Sequence, residues 1–243
     1  METERSEVSQ MSAMDRFINI FSSPREAFLS IEQKPDWLFP FLVLLAVTLV
    51  IQYLTLDIQL SDQIEALRHR NLSEAEFETQ RNLLMGPMKY ISFVLIPIFV
   101  PIIWAILSGV VLLAANIFLK REEVVEGAYK KIFAMIAWSG LVTLVSGILA
   151  AIVIQSKGTL NGAALDLSSL LPTPAIGESK SIFYRLMSKI DPFIFWQMFL
   201  WMVGLSVFYK VDLKKAAVPV VVLWVIWVAV SVPAGAMLGN LGM

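Results

Sequence analysis

Cysteine is absent from these 243 residues, and histidine occurs once, at His69. Without thiols there is no disulfide framework and no thiolate metal site, although the compartment stays open. The lone imidazole, flanked by Arg68 and Arg70 with no second histidine at ligand spacing, reads as a solvated loop residue rather than a metal ligand. Charge is scarce, at 16% of residues against 57% hydrophobic, and the 19 basic and 20 acidic side chains nearly cancel. No global field recruits nucleic acid or an anionic surface. Five long runs contain no Asp, Glu, Lys, Arg or His at all. Proton relays, voltage sensors and ion-coupled carriers keep ionisable groups inside the bilayer, so their absence argues against those classes. G-x-S-x-G, P-loop and H-E-x-x-H patterns are missing too, and acidic pairs such as Glu122-Glu123 sit in a short basic loop. The expectation is a non-enzyme with no catalytic residue, no cofactor, no metal and no nucleic-acid partner.

What is present is hydrophobic length. The uncharged runs are Leu38–Leu56, Tyr90–Leu119, Ile132–Ile154, Pro192–Tyr209 and Ala216–Leu238. Runs of at least about 18 apolar residues suit a hydrocarbon core roughly 30 Å thick at 1.5 Å rise per residue. A mean hydropathy of +0.71 agrees. The fold class expected is an all-α polytopic membrane protein with five transmembrane helices. Short amphipathic helices are expected at the N-terminus and in the first outward loop. Residues 1–36 form a cytoplasmic amphipathic segment and 37–243 the membrane domain, with outward loops at 57–89 and 155–191. Met1–Asp36 is polar for too long to be a signal peptide, so the first span is expected to be retained as an anchor. Lys120, Arg121, Lys130 and Lys131 crowd one short connection, and Lys210, Lys214 and Lys215 another. Short basic loops stay cytoplasmic, which places the N-terminus inside and the C-terminus outside.

Met14, Phe17, Ile18 and Phe21 fall at i, i+3, i+4 and i+7, one face of a helix. Ser23-Pro24-Arg25-Glu26 then predicts a restart, with Ser23 and Glu26 as a capping box and Pro24 at the first helical position. These pieces read either as an interfacial anchor or cytoplasmic docking site, or as a pre-span helix packed on its own bundle. The docking candidates are Phe17, Phe21, Arg25, Lys120, Arg121, Lys130 and Lys131. Outside, Ser73 and Glu76 predict a second capping box, for a helix running to about Leu84 and ending before Gly86-Pro87. Ile58, Leu60, Ile64 and Leu67 suggest a separate helical segment upstream of it. Lys157–Ser181, rich in Gly, Ser, Pro and Thr, is expected to be irregular and mobile, with a surface helix over Ser181–Ile190.

Within the spans the informative residues are small, aromatic or proline. Ser139, Thr143, Gly147 and Ala151 recur every four residues, a small-residue face that lets another helix approach closely. Intramolecular packing and a homo-oligomer seam both use such a face. Pro97 and Pro101 predict a kinked or broken helix, whose freed carbonyls can line a cavity. Trp104, Trp201 and Trp224 lie near mid-span rather than in an interfacial belt, where an indole N–H wants an acceptor. With the two prolines they mark a candidate cavity for a lipid or hydrophobic ligand; bulky packing is the plainer account.

Two stretches carry a family resemblance: Phe17–Trp37, FINIFSSPREAFLSIEQKPDW, and Asp191–Ala216, DPFIFWQMFLWMVGLSVFYKVDLKKA. The helix containing Phe17 and Phe21, the Ser-Pro-Arg turn and Trp37 before the first span resemble bacterial members of the Yip family of Ypt/Rab-interacting membrane proteins. So do the Asp-Pro-Phe entry, Trp196, Leu200, Gly204-Leu205 and the Lys214-Lys215 exit. The resemblance implies a non-enzymatic, all-helical integral protein. Eukaryotic relatives bind Rab-type GTPases through a long cytosolic N-terminal region; the short segment here implies a bacterial protein, to which that role does not transfer. The expected function is therefore an interaction or scaffold protein, or an accessory subunit, of the bacterial cytoplasmic membrane. The alternative is a transporter or lipid-handling protein with an apolar intramembrane cavity. Expected partners are membrane lipids, another membrane or cytoplasmic protein, or a second copy of the chain.

Overall fold

A computed structural model of the protein describes residues 11–119 and 125–240, and every regular element among them is helical. In chain order the helices are α1 (Ala13–Ser22), α2 (Pro24–Gln33), α3 (Leu38–Arg68), α4 (Glu74–Met85) and α5 (Ile91–Phe118). They continue with α6 (Ala128–Ser139), α7 (Val142–Lys157), α8 (Ile182–Met187), α9 (Pro192–Tyr209) and α10 (Leu213–Asn240). Single 3-10 turns lie at Pro87–Tyr90 and Leu167–Leu170. Among the described residues five stretches are long and apolar enough to cross a membrane: Leu38–Arg68, Pro87–Phe118, Ala128–Lys157, Pro192–Tyr209 and Leu213–Met237. The protein is an all-α polytopic membrane protein. Half of the most apolar window is buried in the third and fourth of these, against 17–22% in the others. The third and fourth stretches are therefore the more enclosed, and the other three present most of their surface outward, as helices in lipid do.

The chain divides into two compact units, and neither follows the order of the sequence. The first comprises Met1–Leu45, Phe99–Thr143 and Phe193–Ile226, and the second Ala46–Ile98, Leu144–Pro192 and Trp227–Met243. The core of the first unit is dense. Ile20, Phe28 and Ile31 from the N-terminal helices are closed off among Ile132, Met135 and Trp138 of α6 and Leu200, Leu205 and Phe208 of α9. Gly204 is what lets α9 come this close, since a Cβ there would meet Met135 Sδ at 2.5 Å and Phe28 Cδ1 at 3.4 Å. The second unit buries Leu56, Leu60 and Leu67 of α3 together with Ala151, Ala163 and Tyr184. Its connecting segment is irregular yet tied down: Asp62 accepts from Thr159 Oγ1 at 2.8 Å and the Leu160 amide at 2.7 Å, and Asn161 Nδ2 donates to Pro174 O at 2.9 Å.

Four local features depart from the sequence-based expectation. No separate helix begins at Ile58, because α3 continues through Asp57 to Arg68. No glycine interrupts it, its one proline (Pro40) lies in the first turn, and a helix already nucleated extends at low cost. The predicted box at Ser23 does not form, since that residue must also end α1 by donating its amide to Asn19 O at 2.8 Å, which leaves its hydroxyl out of reach of Glu26. A capping box exists one helix earlier instead, with the Asp15 amide donating to Ser12 Oγ at 3.1 Å and the Ser12 amide to Asp15 Oδ2 at 3.1 Å. The third span is broken at Gly140-Leu141, between α6 and α7. There Ser139 Oγ donates to Ile136 O at 3.1 Å and Thr143 Oγ1 to Gly140 O at 2.6 Å, so both hydroxyls compete for the carbonyls of the turn.

Candidate functional site

A buried polar cluster lies in the first unit. Arg16 sits on α1 four residues before Ile20, and both are buried, while Met14 and Ile18 are 59% and 56% exposed. A guanidinium can be buried only if its donors are met. Arg16 Nε donates to Ser30 Oγ at 2.9 Å, Nη2 to Ser30 O at 3.2 Å, and Nη1 to Lys34 O at 3.1 Å and Asp36 Oδ2 at 2.8 Å. Ser30 and Lys34 stand at the C-terminal end of α2, where each carbonyl also accepts a backbone amide, from Lys34 at 3.2 Å and from Asp36 at 3.0 Å, so the cation adds a second donor to each and opposes the negative end of the helix dipole. Asp36 carries the link onward: Trp138 Nε1 donates to Asp36 O at 2.9 Å and Oδ1 at 3.2 Å. A half-buried ion pair between Lys131 and Glu32, 3.4 Å apart, fastens α2 to α6 a second time. The cluster clamps the N-terminal hairpin onto α6, and its polar groups are engaged in holding structure.

Around the clamp the aromatic side chains interlock. Phe21 packs edge-on against Trp196 at 5.6 Å, with Phe17 5.7 Å from Phe21. Phe28 meets Phe208 at 6.1 Å. Trp104 stands 6.0 Å from Phe41 and 6.3 Å from Phe133, and Trp37 5.5 Å from Phe133. Such pairs contribute roughly 0.5–1.5 kcal/mol each beyond their area.

The structure brings some candidate residues together and separates others. Ser139 of the small-residue face and Trp201 of the aromatic set meet directly, Trp201 Nε1 donating to Ser139 Oγ at 2.7 Å. This bond supplies the acceptor that a mid-span indole needs. The indole N–H of Trp224 is buried without a hydrogen-bond partner among the described residues, beside Phe195 at 5.6 Å. The face itself is divided: Ser139 and Thr143 belong to the first unit, Gly147 and Ala151 to the second, and the helix break falls between Ser139 and Thr143. A Cβ on Gly147 would stand 3.4 Å from Ile51 Cδ1, so α7 lies close against α3 there. Helix α5 is continuous through Pro97 and Pro101, of which the first belongs to the second unit and the other to the first. Among the docking candidates, Arg25 and Lys130 are exposed, whereas Phe17, Phe21 and Lys131 are half-buried. Lys120 and Arg121 lie outside the described residues.

An apolar groove of about 810 Å³ runs in the second unit between Ala46, Val50 and Leu54 of α3 and Ile148, Ala151 and Ile152 of α7. Gln155, at its end, donates through Nε2 to Leu54 O. Of the candidate residues only Ala151 borders this groove; the prolines and tryptophans of the proposed cavity do not. The residues missed by sequence reasoning are Arg16, Ser30, Asp36 and Trp138 as a group. The one available signal was the Ser12–Asp15 box, which fixes where α1 starts, though not which of its faces turns inward.

The Yip1 domain model matches residues 18–234, from within α1 to within α10. No curated protein and no solved structure matches the chain.

Proposed function

The chain belongs to the Yip1 domain family, a membrane-protein family, and from that premise we propose that it is a non-enzymatic scaffold or accessory subunit of a bacterial cytoplasmic membrane. Its N-terminus lies in the cytoplasm and its C-terminus outside. The observation that carries this reading is the clamped hairpin. Burying Arg16 and Ile20 turns Met14 and Ile18 outward, and Arg25 is exposed at the start of α2, so the hairpin holds apolar and basic side chains ready for a partner. Anchors of this kind, an apolar patch rimmed by cations, suit another membrane protein or a second copy of the chain. Photo-crosslinking side chains placed at Ile18 and Arg25 in cells test it. The expected result is one discrete protein adduct common to both positions and lost in Ile18→Glu. Adducts to lipid alone would overturn it and favour the second reading. That reading, a lipid-handling protein, is supported by the apolar groove between α3 and α7, whose lining is that of an acyl-chain site.

A further inference from the structure

One face of α10 carries Trp227, Ser231 and Gly235 at i, i+4 and i+8, and each of them has unfinished chemistry. Trp227 lies under the ammonium of Lys189, 4.5 Å from Nζ to the ring centroid. The Ser231 hydroxyl is buried with no hydrogen-bond partner among the described residues. A Cβ on Gly235 would come within 2.8 Å of Arg185 Nη1, so the glycine leaves the place that the guanidinium occupies. All three residues meet the segment around α8, within the second unit. Between them is a cavity of about 380 Å³ bordered by Lys180, Arg185, Lys189, Ser231, Asn161 and Asp166. We propose that this cavity binds a phosphate group, as carried by an anionic phospholipid headgroup or by free inorganic phosphate.

The argument is one of donors against acceptors. Three cations face one carboxylate, and that carboxylate is already engaged, since Asp166 Oδ1 accepts from the Ser168 amide at 2.8 Å and its hydroxyl at 2.5 Å. Arg185 uses only Nε, which donates to Lys180 O at 3.0 Å. Among the described residues the ammoniums of Lys180 and Lys189 lie over aromatic faces, that of Lys180 5.5 Å from the centre of the Tyr184 ring. Lys180, Arg185 and Lys189 take part in none of the ion pairs among the described residues. A guanidinium fork, two ammoniums and an orphan hydroxyl, paired with no carboxylate among the described residues, match the oxygens of a phosphate. Position favours a membrane source. Arg185 and Lys189 lie just before Pro192, where the fourth apolar stretch begins, and a lysine over a tryptophan is an arrangement that suits headgroup level.

Purified full-length protein in nanodiscs of phosphatidylcholine alone, or with phosphatidylglycerol added, tests the proposal by native mass spectrometry and thermal unfolding. Phosphatidylglycerol should be retained and should raise the unfolding temperature. Both effects should fall at least tenfold and to near zero, respectively, in Arg185→Gln/Lys189→Gln, and persist in Lys130→Gln. Gly235→Ala, which changes no charge and only displaces the guanidinium, should weaken retention as well. If that double variant fails to fold, the exposed Lys180→Gln gives the same comparison. Inorganic phosphate titrated into phosphatidylcholine nanodiscs separates the sources. A shift with phosphate alone, lost in the same variants, supports the site and assigns it to a soluble ligand. Retention of neither ligand, or retention unchanged in the variants, overturns it. The outcome is independent of whether the N-terminal hairpin binds a partner.

Discussion

Replacing Arg16 by methionine keeps most of the side chain's apolar bulk and removes four donated bonds at once. The carbonyls of Ser30 and Lys34 each keep a backbone amide but lose their second donor, and the Asp36 carboxylate loses its cation. Hydrogen bonds to charged groups are worth about 1.5–3 kcal/mol each and are not additive within one network, so a loss of about 2–4 kcal/mol is expected. Denaturation of the detergent-solubilised protein measures it, and Arg16→Lys, which can meet only part of the fork, should recover part of it. Gly204 fails differently. Gly204→Ala drives a methyl into Met135 Sδ, a flexible neighbour that can move, so the expected cost is about 1–3 kcal/mol, with Gly204→Val worse. Loss of stability in Gly204→Val no greater than in Gly204→Ala would mean that the helices do not approach as described. Neither residue's role was legible in the sequence. A lone arginine on a surface helix reads as solvated, and the partners that bury Arg16 lie 14 and 20 residues away. Gly204 stood inside a recognised stretch, but which neighbours it admits depends on the packing of α2 and α6.

Helix boundaries were far more legible, because they depend on residues a few positions apart. The Ser73–Glu76 box starts α4 as expected, and α4 ends at Met85 before Gly86-Pro87. Where local signals compete, the reading failed, as at Ser23, shared between α1 and α2, and at Ser139-Gly140, where hydroxyls break a span that hydropathy alone shows as one. The two boxes that do form give the protein an acid response. Hydrogen bonds from Ser12 and Ser73 hold the carboxyls of Asp15 and Glu76 below their ordinary values of 3.8 and 4.5. A carboxyl whose folded pKa is depressed stabilises the fold above its unfolded pKa and loses that contribution as pH falls through the folded value. The first turn of α4 should therefore begin to lose this contribution below about pH 4.5 and that of α1 below about pH 3.8, the loss completing as pH falls through each depressed folded value. Hydrogen exchange at the Asp15 and Glu76 amides reads this directly: protection should fall on acidification in the native chain and be low at every pH in Ser12→Ala or Ser73→Ala respectively.

For the molecule as a whole, hydropathy found all five crossings because each is a property of composition over some twenty residues, whereas the two compact units join stretches far apart in sequence. Sidedness rests on loop charge alone, and the absence of cysteine makes it simple to test. Single cysteines at Ser22 and Lys130, both exposed, should react with an impermeant maleimide only after the cytoplasmic face is opened. Those at Thr79 and Leu170, also exposed, should react in intact cells. The test reaches further than orientation. The role proposed for the N-terminal hairpin requires Ser22 and Lys130 to report the cytoplasmic face. Under the inverse labelling pattern a scaffold surface at Met14 and Ile18 would face away from the cytoplasm, which the proposed role does not survive, while the phosphate cavity can draw on either leaflet.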